Sequence, residues 1–148
     1  MISSEKIMVC VYHGPNSENL IRRGGKLASM IRCPLYVLGV IPERLESPGS
    51  EQKKNMSLWQ TQCDKWRATC IIKSRESRKT AEVIAETVKE LEITQLILGQ
   101  PGQTRLQEIM NGSIVTELMK RIVEVDMHIV SAQRMASSLK VNDEENGE

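Results

Sequence analysis

Gly99, Gly102 and Gly112, with Ser113 directly after the third glycine, are spaced Gly-x2-Gly-x9-Gly-Ser. They stand between a short aliphatic run, Leu96-Ile97-Leu98, and apolar residues that recur at helical spacing, Ile114, Val115, Leu118, Met119 and Ile122. The run reads as a buried strand and the recurrence as an amphipathic helix that opens near Ser113. The first N–H groups of such a helix have no partner within it and carry the positive end of its dipole, so a phosphate is held there without a dedicated basic side chain. Glycines let the backbone approach a ligand closely and take up positive φ. Taken alone, the same residues also suit a strand end at Gly99, a turn at Gly102 and an ordinary helix cap at Ser113. The elements around them decide between the two readings.

Strand-like and helix-like patterns alternate along the chain. Residues 7–12 form an aliphatic run that ends at His13-Gly14-Pro15, and Leu20, Ile21, Gly24, Leu27, Ala28 and Ile31 then mark one face of a helix from about Ser17. Residues 34–40 form the second strand, followed by a connection at 42–50 containing Pro, Gly and Ser that is expected to be a mobile loop. A polar helix over 51–67 is predicted to bury Met56, Trp59 and Cys63. Residues 69–73 make a third strand, and Ala81, Ile84, Ala85, Val88 and Leu91 place a helix on 78–91. Residues 95–98 and 127–132 complete five strands separated by four helices.

That alternation predicts a single α/β domain: a doubly wound, five-stranded parallel sheet with helices on both faces, over residues 1–134. Residues 135–148 are expected to be an extension that ends acidic and disordered. Ligands of such sheets bind beyond the carboxyl ends of the strands, where strand order reverses. This rule brings the turn after the first strand, 12–17, to the same edge as 99–113, so an independently predicted crevice coincides with the phosphate cradle. Two adjacent glycines inside the first helix, Gly24 and Gly25, cost about 1 kcal/mol each relative to alanine. Either the helix packs unusually close to a neighbour there, or it is locally weak and moves when a ligand binds.

Composition narrows the classes of function. A length of 148 residues suits one domain with one sizeable core, and 40% apolar with 26% charged residues is a soluble balance. A net charge of +1 argues against a general binder of nucleic acid or of acidic membranes. Phenylalanine is absent and aromatics total 3%, which leaves no stacking platform for single strands. The amino-terminal residues lack a signal-peptide core and no run is long enough to span a bilayer, so a cytoplasmic protein without membrane insertion is expected. Cys10, Cys33, Cys63 and Cys70 are too irregularly spaced for a metal knuckle and read as buried structural thiols. With only His13 and His128, no His-rich metal site and no Ser-His-Asp set is evident, and His128 reads as a strand residue facing outward or satisfied locally.

The Gly99-x2-Gly102-x9-Gly112-Ser113 spacing and the order of elements across 6–132 resemble the ATP-binding universal stress proteins. Cys10-Val-Tyr-His-Gly-Pro-Asn-Ser-Glu-Asn-Leu-Ile-Arg22, Lys26-Leu-Ala-Ser29, Gly112-Ser-Ile-Val115 and Asp126-Met-His-Ile-Val130 look more narrowly like the universal-stress domain of KdpD-type potassium-sensor histidine kinases, here without the kinase region. The resemblance implies that Gly99, Gly102, Gly112 and Ser113 hold ribose and phosphates of ATP or a related adenine nucleotide, with Mg2+ entering only through the nucleotide. It places adenine near Val40. The family's aspartate at the end of the first strand is replaced here by Tyr12 and His13, which weakens the expected ribose contact, and Arg105 is the nearest basic side chain for a phosphate.

Three functional classes follow. A non-catalytic nucleotide-binding module of stress signalling is favoured, because no general base, nucleophile or metal set accompanies the cradle. A slow nucleotide hydrolase would need a carboxylate near Gly112 and Ser113, and Glu108 and Glu117 suit solvated positions better. A ligand-free domain would dimerise, or dock on a sensor kinase or transporter, through its last strand, an edge through which universal-stress domains commonly pair. The rival ligand is cyclic di-AMP, linked to potassium and osmotic homeostasis. Some KdpD-type domains are associated with it through a Ser-x-Ser and a Phe-Thr-Ala-x-Tyr element, of which this chain keeps Ser17 and Tyr36.

Overall fold

The computed structural model describes residues 4–11, 17–42, 44, 47–99 and 114–130. Among these, five strands alternate with four helices: β1 (Ile7–Val11), α1 (Ser17–Ile31), β2 (Leu35–Ile41), α2 (Ser50–Trp66), β3 (Thr69–Ser74), α3 (Thr80–Leu91), β4 (Gln95–Gly99), α4 (Ile114–Arg121) and β5 (Asp126–Val130). The strands form one sheet in the order β3-β2-β1-β4-β5, and every neighbouring pair is parallel. The expected doubly wound sheet is therefore present. The acidic end of the chain and the extension from 135 lie outside the described residues.

Successive residues of a strand point to opposite faces, so each strand feeds two cores. Ile7, Val9 and Val11 of β1 join Leu35, Val37 and Ile41 of β2 beneath α1 and α2. Met8 and Cys10 join Leu38 and Val40 beneath α3 and α4. All five residues of β1 are buried, as a strand covered on both faces requires. At the amino ends, the Lys6 N–H donates to Thr94 Oγ1 at 2.9 Å and the Gln95 N–H donates to the Lys6 carbonyl at 3.1 Å, fixing β4 beside β1. The Thr94 hydroxyl also donates to Glu5, and this bond, with one from Gln95, lowers the Glu5 pKa from its ordinary value.

Three helices close on a left-handed residue that is not glycine. Arg32 (φ 62°), Arg67 (φ 56°) and Glu92 (φ 56°) each turn the chain so that the next N–H reaches back into the last helical turn. Cys33, Ala68 and Ile93 donate to the carbonyls of Ala28, Cys63 and Val88 at 3.1, 2.8 and 3.0 Å.

The paired glycines of α1 are explained by close packing. A Cβ on Gly24 would lie 2.3 Å from Val9 Cγ2, and one on Gly25 would lie 2.4 Å from the Trp66 ring of α2. Gly24 thus sets the approach of α1 to the sheet and Gly25 its approach to α2. A third glycine does the same on β2: the buried Trp59 ring lies on Gly39, where a Cβ would come within 2.6 Å. Trp59 and Cys63 are buried as expected, with Met56 partly so, and Gln62 joins them.

The thiols of Cys63 on α2 and Cys70 on β3 meet within this core. The interaction between the two thiols, with burial, raises the Cys63 pKa, the same interaction lowers that of Cys70, and burial raises Cys10 above the thiol range. Cys10 and Cys63 are fully buried, and Cys33 and Cys70 only partly.

Gly24→Ala tests the close approach. Helix propensity alone would favour alanine by about 1 kcal/mol, whereas forcing a methyl group into a filled core costs about 1–3 kcal/mol. Urea denaturation is expected to show a net loss of stability in the wild-type background. In a Val9→Ala background, which removes the methyl group it would strike, the same substitution is expected to be neutral or stabilising.

Candidate functional site

The strand order reverses at β1. From β1 the sheet grows one way through β2 and β3 and the other way through β4 and β5. Ile7, Met8 and Val9 pair with Gln95, Leu96 and Ile97, and at the same offset Val11, the last residue of β1, comes level with Gly99, the last of β4. The chain leaving β1 continues into α1 on one face of the sheet, while the chain leaving β4 reaches α4 on the other. Two neighbouring parallel strands whose exits diverge in this way leave a crevice between them at the carboxyl edge.

Of the residues expected at this edge, Gly99 ends β4 and is half-buried. Val40 is the penultimate residue of β2, paired with Lys73, and its side chain is buried beneath α3. What Val40 offers a ligand is therefore backbone and a closed apolar wall. Ser17 is the first residue of α1 and is buried, at the start of the helix that β1 feeds. These three stand at the carboxyl edge together. Tyr12, His13, Gly102, Arg105, Gly112 and Ser113 lie outside the described residues, as do 43, 45 and 46 of the connection after β2. The helix expected to open near Ser113 is described from Ile114.

Tyr36 is not brought to this edge. It is the second residue of β2, opposite Met8 and Thr69, and packs on the α3 side of the sheet. Ile41 lies five positions further on, about 16 Å along a strand. Ser17 and Tyr36 thus lie at different ends and on different faces of the sheet.

Several ionisable groups of the described residues have local partners. Glu117 pairs with Arg121 one helical turn on, at 3.8 Å, and Arg121 also reaches Glu82 of α3 at 3.8 Å. His128 is outward-facing, and its Nε2 lies 2.9 Å from Gln95 Oε1, at the first residue of β4 and therefore toward the amino end of the sheet. Lys73 pairs with Glu90 at 3.1 Å. Arg78 pairs with Glu86 at 2.6 Å, and that hydrogen bond lowers the Glu86 pKa. Among the described residues no three His, Cys, Asp or Glu side chains come together as a metal site, and no helix is long and apolar enough to cross a membrane.

Sequence reading passed over polar groups that the fold buries without a partner. Among the described residues Asn19 Nδ2, Gln52 Oε1 and Ser74 Oγ are unpaired, in the first turns of α1 and α2 and at the end of β3, all toward the same edge. Single polar residues at element ends carry no periodic signal, so only the assembled fold gathers them.

Solved structures share this architecture. A universal stress protein in complex with cAMP aligns with a TM-score of 0.62 at 15% identity, over 85% of this chain and 96% of that one. The Archaeoglobus fulgidus universal stress protein in complex with dAMP aligns with a TM-score of 0.54 at 16% identity, over 88% and 98%. A Synechocystis protein that carries the name sensor protein KdpD is 32% identical over 127 residues, which are 86% of this chain. The match spans about a third, 34%, of that relative's length. The profile of the universal stress protein family matches residues 3–131, nearly the whole chain. With the five-stranded parallel sheet and its reversal at β1, this establishes that the chain belongs to the universal stress protein family.

Proposed function

We propose that the chain is a non-catalytic nucleotide-binding module of stress signalling that takes ATP or a related adenine nucleotide at the carboxyl edge of β1 and β4. The observation that carries this reading is the level ending of β1 and β4 at Val11 and Gly99, with their exits diverging to opposite faces. Relatives of the same fold, in complex with cAMP and with dAMP, support an adenine nucleotide as the ligand class. In this reading Gly99, Gly102, Gly112 and Ser113 cradle ribose and phosphates, Arg105 supplies the basic charge, and Val40, Tyr12 and His13 border the base and sugar. Mg2+ accompanies the nucleotide rather than a protein site.

A regulatory rather than enzymatic role is supported by two ionisable side chains that are already engaged locally. His128 is held by Gln95 toward the amino end, and Glu117 is engaged with Arg121. Binding then acts by favouring one of two states of a surface, to the extent that the nucleotide prefers one of them. The module works in the cytoplasm, and its relation to KdpD-type sensors points to osmotic or potassium signalling. Cyclic di-AMP recognition through Ser17 and Tyr36 is less favoured, because the two residues are separated across the sheet.

The edge strand supports a second element of this proposal, a homodimer. β5 closes one side of the sheet. Of the five exposed large apolar side chains among the described residues, three, Met119, Val123 and Ile129, come from α4, β5 and their connection. An open strand edge flanked by exposed apolar groups is a template for a further strand, and two-fold pairing of two copies satisfies both edges. The same edge is the surface that a sensor kinase or transporter would use in place of a second copy.

Gly112→Val is expected to abolish adenine-nucleotide binding by calorimetry, since a branched side chain blocks close backbone approach. Equal affinity in variant and wild type would remove the glycine cradle from the mechanism. Purified protein is expected to turn over ATP far more slowly than about one per second, the lower end of common enzyme rates, and phosphate release at or above that rate would overturn the regulatory reading. Ile129→Lys, which places a charge on the open edge, is expected to weaken dimerisation at least tenfold in light scattering. A variant as dimeric as the wild type would move the interface elsewhere.

A further inference from the structure

The net charge of +1 averages two unlike faces. Helices α1 and α2 with their closing residues, 17–32 and 50–67, carry eight basic side chains against three acidic. On the other face, α3 and α4 with the residue on either side of α3, 79–92 and 114–121, carry four basic against five acidic. The fold has therefore gathered positive charge on one side of the sheet.

The arrangement on that side is regular. Arg22, Lys26 and Met30 follow one another at four-residue steps along the outer surface of α1. Lys54, Leu58 and Lys65 recur at steps of four and seven along the outer surface of α2. Both series are helical faces, turned away from the buried residues of their helices. The two helices pack side by side, joined where Trp66 lies against Gly25, so the stripes belong to one surface. Lys26, Lys54 and Lys65 are exposed and form no ion pair among the described residues. Each stripe also carries one exposed aliphatic side chain, Met30 at 82% and Leu58 at 37% exposure.

We infer that the α1/α2 surface docks peripherally on a bilayer rich in anionic phospholipid. Unpaired lysines held on a rigid surface are drawn to a negative headgroup layer, and exposed aliphatic groups among them reach the boundary between headgroups and acyl chains. The charge pattern selects this partner over two others. Among the described residues, the α3 and α4 face of a second copy offers no complement, because Glu82, Glu86, Glu90 and Glu117 are already paired with Arg121, Arg78 and Lys73. Single-stranded nucleic acid calls for exposed aromatic rings on which bases stack, whereas Trp59 is buried in the core, Trp66 lies against Gly25, and the exposed large apolar groups are all aliphatic. The docking surface covers the flank of the sheet away from α3 and α4 and leaves the β5 edge free.

Sedimentation of the full chain with phosphatidylcholine vesicles, with and without phosphatidylserine, at about 0.1 M salt tests this, a strength at which screening acts over about 10 Å. Binding is expected only with phosphatidylserine and is expected to weaken as salt rises. Each lysine at such a surface contributes roughly fivefold in affinity, so the variant K26E/K54E/K65E is expected to lose about a hundredfold or more. K79E/K89E/K120E, with the same change of net charge on the other face, is expected to lose less than tenfold. Circular dichroism checks that both variants fold. Equal losses in the two variants, absence of binding to phosphatidylserine vesicles, or tighter binding of the wild type to a short single-stranded DNA at the same salt would each overturn the inference.

Discussion

The arrangement depends on β1 being hydrogen-bonded on both sides to parallel neighbours. A parallel neighbour is reached only by a crossover that returns the chain to the same end of the sheet, and such crossovers are right-handed. With β2 on one side of β1 and β4 on the other, the chain winds across one face through α1 and α2 and across the opposite face through α3 and α4. The reversal cannot be removed without abandoning the doubly wound sheet. The crevice between β1 and β4 is thus a product of topology, and a ligand bound there meets backbone and strand ends before any specialised side chain.

Such a site demands a sheet whose strand ends are held firmly in register, and here glycine and tryptophan do much of that holding on one face. Gly24 brings α1 onto Val9, Gly25 admits the Trp66 ring between α1 and α2, and Gly39 lets the Trp59 ring come close to β2. In each case the missing Cβ allows an approach closer than two side chains could make, and a large apolar surface leaves water as a result. The helix-breaking cost of Gly24 and Gly25, about 1 kcal/mol each, is offset by contacts that tie β1, β2, α1 and α2 together. Among the described residues the indole nitrogens of both tryptophans have no partner, so what these rings contribute there is packing. Mobility of α1 at its paired glycines is accordingly not what the contacts describe.

The alternation of aliphatic runs with helical periodicity made the fold legible, because β1, β2 and β4 are covered on both faces and read as unbroken apolar stretches such as Ile7–Val11. The last strand lies at an edge of the sheet and carries exposed His128 and Ile129. The paired glycines were ambiguous because their partners, Val9 and Trp66, sit on other elements, and no local spacing announces a close approach. Helix ends were legible only to within a residue or two, since Arg32, Arg67 and Glu92 take the left-handed turn in place of the usual glycine. At the carboxyl edge, Gly99, Val40 and Ser17 stand at strand and helix ends that the pattern marks, whereas the unpaired atoms Asn19 Nδ2, Gln52 Oε1 and Ser74 Oγ are brought toward that edge only by tertiary structure.

Net charge says nothing of distribution, for a related reason. A sum over the chain cannot see that Lys26, Lys54 and Lys65 share one surface, while the carboxylates of α3 and α4 are neutralised in place by Lys73, Arg78 and Arg121. The fold thus separates three properties spatially: diverging strand exits at the carboxyl edge, an edge strand at β5 that has no further neighbour among the described residues, and a basic helical flank over α1 and α2. The carboxyl edge and the flank are joined physically, because α1 begins at that edge with Ser17 and presents Lys26 and Met30 on the flank. A shift of the first turn of α1 on ligand binding would be carried along a helix that Gly24 and Gly25 press against β1 and Trp66. Close packing of this kind transmits displacement because it leaves no void to absorb it, so the contacts that stabilise the sheet also supply a rigid path from the carboxyl edge to the surface.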